Sequence, residues 1–308
     1  MDDHLNVTYI TLNGYVDVQR FRYLYFFMMM AVYFLMISFN LTVVYLICSH
    51  KRLHEPMYVF IAALLLNSVV LSTSVYPKFL IDFLSDKQKI YYPACLFQFF
   101  IFYSVGGSEF LLLSAMAFDR YVSICRPLQY PTIMRKHTVC LLLFFAWLLP
   151  AFHIAIPTIL SAEAKLCRFS LEAIFCNNSI YRLQCVSSQV ISVYGVVSLV
   201  DLALLPFLFI VFTYTKILVV VSRSCRAVRK KAAETCLPHL LVLISYSCLC
   251  AYDISIARVE SNFPRTARFV MMLQTVFYNP LFNPLIYGLK MKEISKRLRE
   301  LFSPVCRY

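Results

Sequence analysis

The chain has 308 residues, of which 60% are hydrophobic and only 15% charged. So few charges cannot cover a water-soluble surface, so the composition indicates a membrane class and excludes an ordinary soluble domain. The formal net charge of +13 reports topology in such a chain before it reports any polyanion, so nucleic acid is not expected as a partner.

Five glycines and 13 prolines favour long helices over a loop-rich or barrel architecture. The opening stretch MDDHLNVTYI is acidic and polar. No cleavable leader is expected there, and the first apolar run, near Tyr23, has to act as its own insertion signal. Seven apolar runs follow, near 23–49, 57–82, 92–125, 139–160, 190–221, 233–256 and 267–289. Each is close to the roughly 20 residues that a bilayer crossing needs. The third and fifth are longer, which implies tilt or extension into water. Gln274, Asn279, Asn283 and two prolines interrupt the seventh. No internal repeat appears, which weakens the transporter folds built from duplicated halves.

The fold expected is therefore an all-α membrane protein, a seven-helix bundle. It comprises an outer tail over 1–22, the helical domain over 23–289, and an eighth helix with an inner tail over 290–308. In Lys290–Leu301, Ile294, Leu298 and Leu301 can face lipid while Lys296, Arg297 and Arg299 face water and headgroup phosphate. Most Lys and Arg fall on the side of Lys51, Arg120, Arg126, Lys230 and Lys296. On the other side, acids such as Asp2, Asp86 and Glu172 offset the bases. The positive-inside rule then puts the N-terminus outside and the C-terminus inside a cell membrane. Two glycosylation sequons, at Asn6 and Asn177, fall on that outer side. A third, at Asn40, sits inside the first run and is discounted.

Four of the 12 cysteines lie on the outer side, Cys95, Cys167, Cys176 and Cys185. Four cysteines in an oxidising space allow three pairings, and spacing cannot choose among them. Glu109 sits eleven residues before Arg120, roughly 16 Å away along a helix and near mid-membrane. An intramembrane acid is a functional candidate by default, although hydrogen bonds to a protonated carboxyl would also satisfy it. His153 reads as a satisfied intramembrane histidine. There is no phosphate-binding glycine loop, HExxH or nucleophile elbow, so no enzyme activity is expected. A channel or transporter would line a midplane path with several acids, and only Glu109 lies that deep.

The order of motifs carries more. Leu53-His54-Glu55-Pro56-Met57-Tyr58 opens the second run. Met116–Met134, MAFDRYVSICRPLQYPTIM, closes the third, and Lys231–His239, KAAETCLPH, enters the sixth. Pro280–Tyr287, PLFNPLIY, ends the seventh. Asp119 gives Arg120 a partner at the hydrocarbon edge, where a bare charge is costly. Together these stretches resemble the odorant receptors, a family of rhodopsin-like G-protein-coupled receptors. Ala94–Phe100, Gly106–Phe110 and Phe175–Ile180 read as the fish-type division of that family.

The resemblance implies an odorant receptor that couples to a stimulatory, olfactory-type heterotrimeric G protein and raises cAMP in olfactory cilia. A non-olfactory chemosensor of the same fold is the alternative. It implies the disulfides Cys95–Cys176 and Cys167–Cys185. The activation switch would use Asp119, Arg120, Tyr121, Tyr214, His239, Asn283, Pro284 and Tyr287. An odorant between the outer halves of the third, fifth, sixth and seventh segments nominates Phe102, Ser104, Val105, Ser198, Asp201, Cys250, Asp253, Arg258, Gln274 and Tyr278. No cofactor is expected beyond a candidate sodium ion at Glu109. Membrane lipid is the remaining partner. The second segment departs from the family pattern, with Asn67 and Ser68 where a second acid belongs, which puts the sodium site in doubt.

Overall fold

The computed structural model describes residues 8–16, 18–186, 188–258 and 264–302, without the side chains of 227, 228, 231, 252–258 and 302. Long helices dominate: α1 (Val18–Ser49), α2 (Pro56–Leu84), α3 (Tyr92–Cys125), α4 (Lys136–Ala162), α5 (Gln189–Ser222), α6 (Arg226–Arg258) and α7 (Arg265–Lys290). A shorter α8 (Lys292–Phe302) follows. The helix starts follow local chemistry. Pro56 opens α2, where a missing N–H costs nothing. Ser188 caps α5, its hydroxyl accepting from the Ile191 N–H at 3.3 Å.

Among the described residues, six helices are long and apolar enough to cross a membrane: α1 to α5 whole, and α6 over Ala232–Ala251. Their outward faces carry Phe34, Phe97, Phe144, Phe209 and Phe212, an exposure that hydrocarbon tolerates and water penalises. α7 has 26 residues, but its amides and terminal bases make it less apolar. In α8 Ile294 is fully buried against the bundle, while Lys292, Lys296 and Arg299 are exposed on the opposite side and Arg297, three residues on from Ile294, is half-buried. A π-helical turn at Val200–Leu204 interrupts α5 just before Pro206, whose absent N–H breaks the regular ladder.

Two apolar cores hold the bundle. One gathers Phe79, Phe83, Phe99, Phe175 and Val276 at the Cys95 end. The other gathers Phe60, Leu64, Leu112, Met116 and Tyr287 at the Arg120 end. The Cys95 end is roofed by a small sheet that the hydrophobic pattern had not announced. In it β1 (Tyr9–Leu12) lies between β2 (Lys89–Tyr91) and β3 (Ser170–Leu171). β1 pairs antiparallel with β2 (Tyr9 opposite Tyr91) and parallel with β3 (Thr11 opposite Ser170). Gly14 follows, and a Cβ there would lie 2.5 Å from the Ala173 carbonyl carbon, so only glycine fits. Tyr15 then locks the tail down. Its hydroxyl lies 2.9 Å from Asp82 Oδ2 and 3.2 Å from the Ile174 carbonyl oxygen.

Candidate functional site

Below that roof lies a cavity of about 470 Å³. Its α3 wall is Phe99, Phe102, Tyr103, Gly106, Gly107, Glu109 and Phe110, a run at helical spacing along one face. α5 adds Ile191, Ser192, Gly195 and Ser198, α6 adds Tyr246, Leu249 and Cys250, and α7 adds Thr275 and Asn279. The loop between α4 and α5 supplies Asn178, Tyr181, Arg182 and Gln184.

That loop is pinned at three points. Cys176 is bonded to Cys95 on α3, and Cys167 to Cys185 within the loop. Gln98 on α3 accepts from the Cys176 N–H at 2.9 Å. The Tyr103 hydroxyl accepts from the Asn178 N–H at 3.0 Å. Residues between two such anchors have little choice but to cover the cavity. Cysteine spacing alone does not fix the pairing, so none of these loop residues was nominated from sequence.

The residues nominated from sequence divide. Phe102, Ser198 and Cys250 line the cavity. Ser104 and Val105 are buried but do not line the cavity, and the Val105 backbone carbonyl accepts from Asn67 Nδ2 of α2 at 2.8 Å. Gln274 and Tyr278 each sit one residue, about 100° of helix, from the lining Thr275 and Asn279. Gln274 is therefore exposed, and Tyr278 stacks on Phe282 with centroids 4.4 Å apart. Asp201, in the π-helical turn, points toward His153 of α4, 3.9 Å away, rather than into the cavity. The side chains of Asp253 and Arg258 lie outside the described residues.

Asn177 departs from its expectation as a glycan acceptor. It is buried at 4% exposure, and its Oδ1 accepts from the Ser179 N–H at 3.1 Å as a helix cap. A glycan has no room there. Asn6 lies outside the described residues.

At the cavity floor, Glu109 and Asn279 are each 3% exposed. Asn283 Nδ2 donates to Glu109 Oε1 at 3.1 Å, and the Asn279 amide also hydrogen-bonds the carboxyl. Asn279 Oδ1 is left buried without a partner. One carboxyl and one spare amide oxygen match a monovalent cation in charge and donor type. From α2, Ser68 donates to the Leu64 carbonyl and Asn67 to that of Val105, so that helix adds no second charge.

The Arg120 end holds a second polar assembly. Arg120 Nε donates to Asp119 Oδ2 at 3.0 Å, and the Tyr130 hydroxyl donates to Asp119 Oδ1 at 2.8 Å. Burial, followed by the charge of Asp119, raises the Tyr130 phenol above its ordinary value, so it stays a donor. Tyr121 is half-buried and packs on the same core. His239 of α6 bridges Tyr214 of α5 (2.6 Å) and the Leu113 carbonyl of α3 (2.9 Å). Pro284 cannot bond the Pro280 carbonyl one turn earlier. Asn40 Nδ2 reaches across from α1 and donates to that oxygen at 2.7 Å. Tyr287 is buried at 1% exposure with its hydroxyl unpartnered.

The family model described as olfactory receptor matches residues 29–304. The chain is similar to olfactory receptor 11H2 of Homo sapiens, 35% identical over 88% of this chain and 83% of that one. It is also similar to olfactory receptor 11A1 of Homo sapiens, 33% identical over 96% and 94% of the two chains. With olfactory receptor 51E1 of Homo sapiens it shares 31% identity over 96% and 94%.

Proposed function

The chain belongs to the olfactory receptor family, a family of multi-pass membrane receptors and not of enzymes, and from that premise we propose how it works. It is an odorant receptor that admits a small molecule to the cavity under the α4–α5 loop and signals through a stimulatory, olfactory-type G protein, raising cAMP. α7 is the seventh crossing and α8 lies along the inner leaflet. The N-terminus is outside and the C-terminus inside, in the membrane of olfactory cilia. The fish-type division is proposed on Ala94–Phe100, Gly106–Phe110 and Phe175–Ile180.

One observation carries the reading: a mostly apolar cavity closed over by a twice-bonded loop, at the opposite end of α3 from the Asp119–Arg120 pair. Cavity and pair share one rigid helix. An agonist shifts the equilibrium only by binding one arrangement more tightly than the other. In the proposed active arrangement the inner end of α6 swings out and Arg120 leaves Asp119 to meet the G protein. Tyr214 and Tyr287 then close on the vacated space. A sodium ion at Glu109 would favour the resting arrangement.

The test is a panel of odorants with a cAMP readout on cells displaying the tagged receptor. Wild type should answer part of the panel. Arg120→Ala should reach the surface and stay silent. A surface-displayed wild type silent to every odorant, or a fully signalling Arg120→Ala, would overturn the proposal.

A further inference from the structure

We propose that the floor of the cavity takes the head of a protonated primary amine, with a small apolar body above it. The inference rests on the odorant-receptor reading and names the ligand class of that same site. The floor consists of two acceptors. Glu109 and Asn279 both line the cavity, each 3% exposed. The amides of Asn279 and Asn283 already donate to the carboxyl. That use of the Asn279 amide hydrogens leaves its Oδ1 buried and without a partner. A buried acceptor with no donor is a standing cost, so the floor favours whatever brings hydrogens to it.

Among small polar heads, an ammonium matches best. It carries three donors for the carboxyl and the orphaned amide oxygen, and its charge offsets that of an ionised Glu109. An alcohol brings one hydrogen and no charge. A carboxylate brings neither and would be repelled. The walls above agree, because Phe102, Tyr103, Phe110 and Tyr246 line the same cavity and aromatic faces attract cations.

The other charged lining residue, Arg182, would favour an acid instead. It sits on the covering loop and is exposed to water, where screening weakens its field. Glu109 acts in a buried, low-dielectric place, where a charge pair is far stronger. The floor therefore decides the ligand's sign.

The experiment compares n-hexylamine, 1-hexanol, hexanoic acid and hexyltrimethylammonium at constant sodium. They are applied to wild type, Glu109→Gln and Asn279→Ala, with surface level read from a tag. Hexylamine should be the most potent of the four on wild type. Hexyltrimethylammonium, a cation without N–H donors, should be at least tenfold weaker. Glu109→Gln should raise the half-maximal concentration of hexylamine at least tenfold relative to that of hexanol on the same variant. Asn279→Ala should weaken hexylamine severalfold.

If neither variant reaches the surface, the thermal shift of purified wild type with each of the four compounds decides. Hexylamine no better than hexanol, or hexanoic acid the best of the series, overturns the inference, the latter moving recognition to Arg182. A receptor that answers esters and alcohols but not amines fails this inference alone. One silent to the whole odorant panel fails the receptor reading itself.

Discussion

The Tyr214 hydroxyl and His239 Nδ1 lie 2.6 Å apart, with the two rings stacked at a tilt of 22°. The Leu113 carbonyl beyond His239 can only accept, so Nε2 carries the hydrogen. In the neutral ring Nδ1 is then bare, and Tyr214 donates to it. One imidazole thereby ties α6 to both α3 and α5 at the end where α6 is proposed to open.

His239→Phe keeps the ring and removes both bonds. The buried Tyr214 hydroxyl then keeps only the Cys236 thiol beside it, and the closed arrangement loses about 0.5–1.5 kcal/mol for each bond removed. Ligand-independent cAMP should rise severalfold at equal surface level. An unchanged or lower baseline would show that the bridge does not hold the resting state.

Lys292 at the start of α8 reaches Glu234 of α6 at 2.7 Å. The pair is exposed, so its effect is small and salt-sensitive. Even so, it joins α8 to the very stretch of α6 that is proposed to move. Lys292→Glu should raise basal signalling no more than a few-fold. The double variant Lys292→Glu, Glu234→Lys should return it to the wild-type level. Failure of the swap to restore it would mean the two residues act separately.

Asn177 and Asn6 are predicted to behave differently toward the glycosylation machinery. Asn177 is buried and its side chain is spent on a backbone cap. Asn177→Gln should leave the glycosidase-sensitive gel shift intact, whereas Asn6→Gln should abolish it. Losing the shift through Asn177→Gln alone would mean that the loop accepts a glycan before it folds.

Much of this architecture was legible because hydrophobic runs and helices obey the same length constraint. The run read as 92–125 coincides with α3, and 190–221 falls one residue short of α5 at each end. α6 begins at Arg226, seven residues before the apolar run read from 233, because a helix continues through charged residues once water can solvate them. The roof was not legible. Tyr9–Leu12 becomes a strand only when β2 and β3 flank it, and those partners are some 80 and 160 residues away in sequence. The cavity was half legible. Naming a segment does not fix which of two adjacent residues faces inward, so Gln274 and Tyr278 were nominated where Thr275 and Asn279 line the space. Asn279 itself stood in the sequence only as an interruption of the seventh run.

The last prediction concerns the tail and alkaline pH. Tyr15 ties the tail to α2 and to the covering loop through Asp82 and the Ile174 carbonyl. Burial first, then the charge of Asp82 and its hydrogen bond, raises this phenol well above the ordinary value of about 10. A folded-state pKa above the unfolded one means that the group's stabilisation is fully present below pH 10. It is lost as pH climbs toward the raised value, because only the unfolded chain releases the proton easily. Tyr130 and Tyr181, also raised by burial, contribute in the same direction. Lys78, paired with Asp82, is present in both proteins compared. Thermal stability of the purified receptor should therefore fall between pH 9 and 11, and Tyr15→Phe should make that fall shallower. At pH 7 the same substitution should cost about 1–2 kcal/mol, since Asp82 and the Ile174 carbonyl lose the one hydroxyl hydrogen they share. Parallel stability curves for the two proteins across that alkaline range would show that Tyr15 does not hold the roof.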